Sequence, residues 1–257
     1  MTTTPLLTKN YLVTGGTTGI GFATARLLAS DGAHVLITGT DRERLDAAVA
    51  ALGDNTQGIC SDSGSASEAK SLASIVERIA GTLHGVFINA GACYFGPIES
   101  LSEEQITRMF SVNASGPLFQ IQALLPLLRQ SSTLVLNASV AGLISIGGSS
   151  AYAASKAALA AIGRTLAVEL APRNIRVNTI SPGPIATPLI EKLIPDAAAR
   201  ADFGARVASA TLLGRQGSAE EIAKLVRFLL SSESSFIVGA EIVIDGGIRL
   251  RTPAFGA

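Results

Sequence analysis

Tyr152 and Lys156 lie four residues apart in AYAASKAALAAIGRTLAVEL, a run rich in alanine and free of proline. At that spacing two side chains share one helix face, a turn apart. Ser139 stands thirteen positions before Tyr152, next to TLVLNA, an apolar run that reads as a buried strand. A hydroxyl at a strand end, a phenol and an ammonium can therefore meet at one point, and the chemistry would be proton transfer. A free tyrosine has a pKa of about 10, too high for a proton shuttle at neutral pH, and a neighbouring Lys⁺ favours the phenolate. Half-ionisation at pH 7 needs about three pK units, roughly 4 kcal/mol. One exposed cation does not supply that, so the phenol needs a second helper, such as a cationic nicotinamide ring. Alone, a Y-x-x-x-K pair is also a common surface pair, and its meaning depends on the elements that position it.

Those elements alternate along the whole chain. NYLVT (10–14) is a short apolar strand running into GGTTGIG (15–21), and FATARLLASDG follows at helical spacing until Gly32 stops it. Strand, glycine turn, helix is the setting of a phosphate-binding loop, in which backbone N–H groups and the helix dipole receive a pyrophosphate. Gly15, Gly19 and Gly21 give G-x-x-x-G-x-G, a variant of the commoner dinucleotide spacing. AHVLITG (33–39) is the next strand, and Thr40 with Glu43 matches a capping box for the helix after it. An NAD-binding sheet places an acidic residue at this strand end for the ribose 2′-hydroxyl. Here Gly39 stands there, and Thr40 and Arg42 are free to take a 2′-phosphate, which points to NADP with NAD as the alternative.

TQGICS (56–61) ends at Asp62, and Ser65 with Glu68 forms a second capping pattern. HGVFINAG (84–91) ends in Asn89-Ala90-Gly91, small residues that let backbone approach a ligand. Ser102 and Gln105 cap a long helix expected to reach about Arg129, with Asn113 inside it. After the Tyr152 helix, which Pro172 helps to end, NIRVNTISPG (174–183) is another strand. Residues 184–217 read as irregular or weakly helical, Ser218 with Glu221 caps a helix to about Leu230, and EIVIDGG (241–247) is the last strand. Alternating strands and helices imply an α/β fold, a doubly wound parallel sheet with helices on both faces and right-handed crossovers. Ligands bind at the carboxyl ends of such strands. The glycine loop, Asp62, Asn89, Ser139 and Pro182-Gly183 all fall there.

Composition narrows the partners. The 257 residues, 47% hydrophobic, suit one domain with a full core. Net formal charge is zero and no Lys/Arg cluster occurs, which argues against nucleic acid and an anionic membrane surface. MTTTPLLTKN lacks the pattern of a signal peptide, and Lys156 and Arg164 interrupt the longest apolar stretch, so a cytoplasmic protein is expected. Cys60 and Cys93 fit no metal or redox spacing and read as small buried hydrophobes; no metal is expected. His34 and His84, each at the mouth of an apolar run, read as structural.

From about residue 8 to residue 250 the chain resembles the short-chain dehydrogenase/reductase family. The matching stretches are Thr14 to Gly21, Asn89-Ala-Gly91, Asn113, Ser139, Tyr152-x-x-x-Lys156, Pro182-Gly183 with Thr187, and Asp245-Gly-Gly247. The resemblance implies a single Rossmann-type domain over 1–257, with about seven strands in the order 3-2-1-4-5-6-7. It implies that Tyr152 is the acid/base, that Ser139 polarises the substrate carbonyl, and that Lys156 holds the nicotinamide ribose and lowers the Tyr152 pKa. Asn113 would seat a water in a proton relay. Asp62 would meet the adenine, and Ile185 and Thr187 the carboxamide and phosphates. Gly15, Thr17, Thr18, Gly19, Ile20 and Gly21 would form the cofactor loop, and Asn89, Ala90, Gly91, Pro182 and Gly183 would also bind the cofactor. The chain departs from the pattern in two ways: Thr17, Thr18 and Thr40 stand where NADP-preferring members often carry Arg or Lys, and Ser63 follows Asp62 in place of an apolar residue.

The implied reaction is reversible NADP-dependent carbonyl reduction, with the segment 188–215 covering the substrate. Tyr94, Phe95, Leu143, Ile144, Ile146, Leu189 and Phe203 are candidates for an apolar pocket fitting a ketone or alcohol. A 3-oxoacyl thioester reductase would want basic residues at the mouth for an acidic carrier, and Arg129 and Arg173 are the candidates. A cofactor-binding scaffold without chemistry is opposed by the presence of all four catalytic residue types. Related proteins are commonly tetramers with contacts through the last strand and the helix before it, which implies a homotetramer, or a homodimer.

Overall fold

A computed structural model describes residue 6, residues 8–188, 190, 194 and 196–250. Seven parallel strands form the central sheet: β1 (Asn10–Val13), β2 (His34–Gly39), β3 (Thr56–Cys60), β4 (Leu83–Ile88), β5 (Leu128–Asn137), β6 (Arg176–Pro182) and β9 (Glu241–Ile244). Their order is β3-β2-β1-β4-β5-β6-β9. This is the expected 3-2-1-4-5-6-7 arrangement, the seventh strand being β9 because two short strands precede it. Those two, β7 (Ile185–Ala186) and β8 (Gly217–Ser218), pair with each other in a small separate ladder that the sequence did not announce.

Successive residues of the inner strands feed two cores, as the pleat requires. Leu12, Leu36, Val86, Leu134, Leu136 and Val177 face one layer. Tyr11, Val13, Val35, Ile37, Phe87 and Val135 face the other. The first layer packs against α3 (Ala66–Ala80), α5 (Gly116–Leu124) and α6 (Ser150–Leu170) through residues such as Leu72, Ile121 and Leu159. The second packs against α1 (Gly19–Ser30), α2 (Arg42–Leu52) and α8 (Ala219–Leu230) through Leu28, Leu45 and Ile222.

Four sequence expectations change. First, Asp41, not Thr40, caps α2, accepting from Arg44 N at 3.1 Å. β2 ends at Gly39 as expected, and Thr40 stays outside the helix, so the α2 cap falls one residue later than the Thr40–Glu43 register. Ser65 does cap α3, and Ser102 with Gln105 and Ser218 with Glu221 form full capping boxes. Second, the long helix containing Asn113 is broken. α4 (Glu103–Phe110) passes through a π-turn (Ser111–Ser115) into α5, and a 3₁₀ turn hands over to β5 at Leu128, so Arg129 is a strand residue. Pro117 has no N–H for the Asn113 carbonyl four residues back. Gly116 N reaches five residues back to Ser111 O instead. Third, 184–217 contains a regular helix, α7 (Ala197–Ala210), capped by Asp196, which accepts from Ala199 N at 2.7 Å. None of its residues is buried; Phe203 and Val207, one turn apart, line the cleft at the carboxyl ends of the strands, and alanine propensity and the cap support the rest. Fourth, Cys93 is buried as expected, but Cys60 is exposed at the end of the edge strand β3.

α6 lies close on β6 because Gly163 has no side chain: a Cβ there would sit 2.3 Å from Thr179 Oγ1. Gly163→Ala should lower stability by about 1–3 kcal/mol through overpacking, read as a fall in the urea midpoint. Adding Thr179→Ala should recover part of that loss; additive losses would contradict the close-approach account.

Candidate active site

One hydrogen-bond chain ties three strand ends to α6. At the end of β1, Thr14 Oγ1 accepts from Asn89 N (2.8 Å) and Ala90 N (3.0 Å). Asn89 Nδ2 donates to Thr14 O and Gly15 O, holding the glycine turn against the end of β4. Asn137 Nδ2, at the end of β5, donates to Asn89 Oδ1 at 2.9 Å. The Asn137 carbonyl accepts from Lys156 Nζ at 2.6 Å. Lys156 is buried, and among the described residues it has no carboxylate partner. Its Nζ sits 6.0 Å from the Tyr152 ring centroid, on the same helix face.

Ser139 begins a 3₁₀ turn after β5, its Oγ accepting from Ala141 N at 3.2 Å. The hydroxyl also faces the Tyr152 phenol. Phe95 meets the Tyr152 ring edge-on, with centroids 5.8 Å apart. Asn113 is fully buried behind them in the π-turn. Its Oδ1 accepts from Ala92 N, and its Nδ2 donates to Ala92 O and Ser155 Oγ. Both amide hydrogens are thus committed, and a water would have to meet its main-chain carbonyl, which Pro117 leaves without the α-helical donor. Pro117, four after an Asn inside a helical pattern, is the sequence signal that would have marked the break.

The cleft at the carboxyl ends of the strands holds about 830 Å³. Of the sequence-derived site residues, Gly15, Thr17, Thr18, Gly19, Ile20, Thr40, Asp62, Asn89, Ala90, Gly91, Ser139, Tyr152, Lys156, Pro182, Gly183, Ile185 and Thr187 line it. Asn113 and Gly21 support it from behind. A Cβ on Gly21 would fall 2.3 Å from Gly15 O, and Gly15 itself turns at φ 64°. Arg42 is not brought to the cleft: it is exposed along α2 and paired with Asp46 at 3.0 Å. Of the apolar candidates, Phe95, Ile146 and Phe203 line the cleft, whereas Tyr94, Leu143 and Ile144 do not. Leu189 lies outside the described residues. Cys93, Arg108, Ile194 and Ile248 also line it and were not anticipated.

A family model described as enoyl-(acyl carrier protein) reductase matches residues 15–249. Dehydrogenase/reductase SDR family member 4 of Homo sapiens is 35% identical over 253 residues, covering 96% of this chain and 90% of that protein. A cyclopentanol dehydrogenase of Comamonas sp. is 34% identical over 246 residues, covering 93% and 96%. The crystal structure of a short-chain dehydrogenase/reductase, glucose/ribitol dehydrogenase, from Brucella melitensis superposes with a TM-score of 0.88 at 32% identity, covering 95% and 98%. The chain belongs to the short-chain dehydrogenase/reductase family. It is an NAD(P)-dependent oxidoreductase of the class acting between CH–OH and C=O.

The cleft fits the dinucleotide this family implies. Its floor is glycine where a side chain would collide with backbone. Buried Ser61 Oγ and Asn137 Oδ1 have no hydrogen-bond partner, and both residues line the cleft. Lys156 offers a charge that no carboxylate among the described residues balances. At the far end the Asp62 carboxylate accepts from Arg108 Nη1 (2.8 Å) and Gly64 N (2.9 Å). The Arg108 bond, above all, holds its pKa below the usual carboxylate range.

The family pattern implies a lowered Tyr152 pKa. In this structure burial pushes the phenol up; the Cys93 thiol adds to the rise, and the Ser139 hydroxyl opposes it. Lys156 does not offset this, being itself desolvated, with its pKa pulled down to about 8. In the unfolded chain lysine titrates near 10.4. Between about pH 8 and pH 10 the unfolded state therefore binds more protons than the folded one, and the Lys156 contribution to stability rises with pH. The urea midpoint of the cofactor-free protein, measured against Lys156→Met, should become relatively more favourable across that window. A difference that is flat or falling with pH would contradict the burial of an unbalanced ammonium.

Proposed function

We propose that the protein catalyses reversible, NADP-dependent reduction of a small or medium ketone to the alcohol, with Tyr152 as acid/base. The observation that carries this reading is the convergence of the Tyr152 phenol, the Ser139 hydroxyl and the Lys156 ammonium on a cleft continuous with the glycine loop. When bound, the cofactor supplies or accepts the hydride. This chain's residues do the rest. Gly15 to Gly21 and the start of α1 receive the pyrophosphate on backbone N–H groups. Thr187 touches the glycine loop side of the cleft and Ile185 lies beside it, in reach of the phosphates and carboxamide. Lys156 holds the ribose hydroxyls with the donors that Asn137 O leaves free. Ser139 donates to the carbonyl oxygen as charge develops on it, and Tyr152 gives that oxygen its proton. Asn113 seats a relay water through its main-chain carbonyl. Asp62, oriented by Arg108, accepts from the adenine amino group.

NADP over NAD is supported by the end of β2. Thr17, Gly39 and Thr40 line the cleft there without a carboxylate, and Asp41 is engaged as the α2 cap and with Arg44. Phe95, Ile146 and Phe203 make the substrate end apolar, and Ile190 and Ile194 with α7 line it from the segment 188–215, which supports reading that segment as its cover. A carrier-borne thioester substrate is disfavoured. Arg129 and Arg173, the basic residues it would need, stand at the amino-terminal end of the strands, away from the cleft mouth. The whole of 1–257 acts as one catalytic domain, placed in the cytoplasm; among the described residues no helix is long and apolar enough to cross a membrane. A homotetramer, in which copies meet beside β9, is supported by the exposed Phe236 and Val238 that precede that strand.

Three measurements test the reading. Tyr152→Phe should lower kcat at least about a hundredfold with cofactor affinity nearly unchanged; near-full turnover would overturn the assignment. Side-by-side titration should show tighter binding of NADPH than of NADH, and the reverse order would refute the role given to Gly39 and Thr40. Sedimentation equilibrium should return the mass of four copies; a monomer would remove the β9 contact.

A further inference from the structure

We infer that the amino-terminal rim of the sheet carries a second site, which binds a phosphoryl group through Lys9, His84 and Arg129 in the field of Arg176. These residues line a cavity of about 530 Å³ at the opposite end of the strands from the cofactor cleft. Its lining holds three cations, a histidine and several serines, and no aspartate or glutamate. Among the described residues, Lys9, Arg129 and Arg176 have no carboxylate partner. Asp31 and Glu233 are both paired with Arg227.

The hydrogen bonds show what is missing. His84 Nδ1 accepts from the backbone N–H of Asn10 at 3.0 Å. A neutral imidazole has one lone pair, so its hydrogen must then be on Nε2. That nitrogen faces Arg129 Nη1 at 2.9 Å, and a guanidinium has only donors. Two donors therefore stand against each other with no acceptor between them. Protonating the ring does not relieve this: it would set Nδ1–H against the Asn10 N–H as well. Burial, then Arg129 and Lys9, also hold the His84 pKa below its ordinary value, so the ring stays neutral. An oxyanion placed against both groups accepts from each and resolves the conflict.

The charge argues for phosphate over carboxylate. Arg176 spends Nη1 and Nη2 on the backbone carbonyls of Leu229, Ser231, Ser234 and Ile237 and on Ser234 Oγ. It contributes charge more than donors, while Lys9, Arg129 and the His84 Nε2–H contribute the donors. Three positive charges are better matched by a dianion with three free oxygens than by a single carboxylate. The exposed Ser232 and Ser235 on the rim leave room for a phosphomonoester as well as for free phosphate.

Calorimetric titration with inorganic phosphate, glycerol 3-phosphate and acetate, at ionic strength fixed with sodium chloride, tests the site. The full-length wild type is compared with Arg129→Gln and Lys9→Gln. Phosphate held at the glycine loop is common to all three proteins and cancels from the comparison. One or both phosphates should bind the wild type saturably, the tighter of them naming the source as free phosphate or a monoester. Arg129→Gln should weaken that binding about tenfold or more, the loss of one charge-assisted hydrogen bond, and Lys9→Gln severalfold. Both variants should keep wild-type kcat. Equal affinity in wild type and both variants, no saturable binding, or acetate binding as tightly as phosphate would each overturn the proposal.

Discussion

The Lys156 ammonium, buried and held by the Asn137 carbonyl at 2.6 Å, is the contact on which the site depends. It fixes α6, and therefore Tyr152, against the end of β5. Asn137 in turn holds Asn89, and Asn89 holds the glycine turn, so the Tyr152 end and the glycine-loop end of the cleft share one set of hydrogen bonds. A cation this buried, with one carbonyl partner, is costly by itself. On the proposed reading, ribose hydroxyls are the neutral, acceptor-rich groups that would complete its coordination.

This arrangement also accounts for a high resting pKa at Tyr152. Burial acts on the phenol before any cofactor is present, and a desolvated lysine whose own pKa has fallen to about 8 is a weak counterweight near neutral pH. The free protein therefore keeps Tyr152 protonated, and the proposed proton shuttle would be completed by what binds. Among the described residues, the Ser139 hydroxyl is the group that pulls the phenol towards ionisation.

Much of this was legible in the sequence because it is local. Strand–glycine–helix punctuation placed Gly15 to Gly21, and the four-residue spacing placed Tyr152 above Lys156. Strand ends placed Asp62, Asn89 and Ser139 on one rim. What failed was set by neighbours distant in sequence or by a shift of one residue. Thr40 and Asp41 are both capable caps one residue apart, and the local pattern does not choose between them. Arg42 was read from its sequence position, but Asp46 one turn on captures it. Arg129 and Arg173 were read as groups at the mouth, yet β5 runs from Leu128 towards the cleft and carries Arg129 to its far end. Cys60 looked like a core residue until the sheet order made β3 an edge. The rise in the Tyr152 pKa comes from burial, which no local pattern encodes.

The most direct test is the ionisation of Tyr152 itself, followed as the tyrosinate ultraviolet signal of wild type minus Tyr152→Phe, with and without the oxidised dinucleotide. The free protein should show no Tyr152 ionisation below about pH 10, and the complex should bring the midpoint down by about two pK units or more. An unchanged midpoint on binding would contradict a proton shuttle that the cofactor completes beside Lys156.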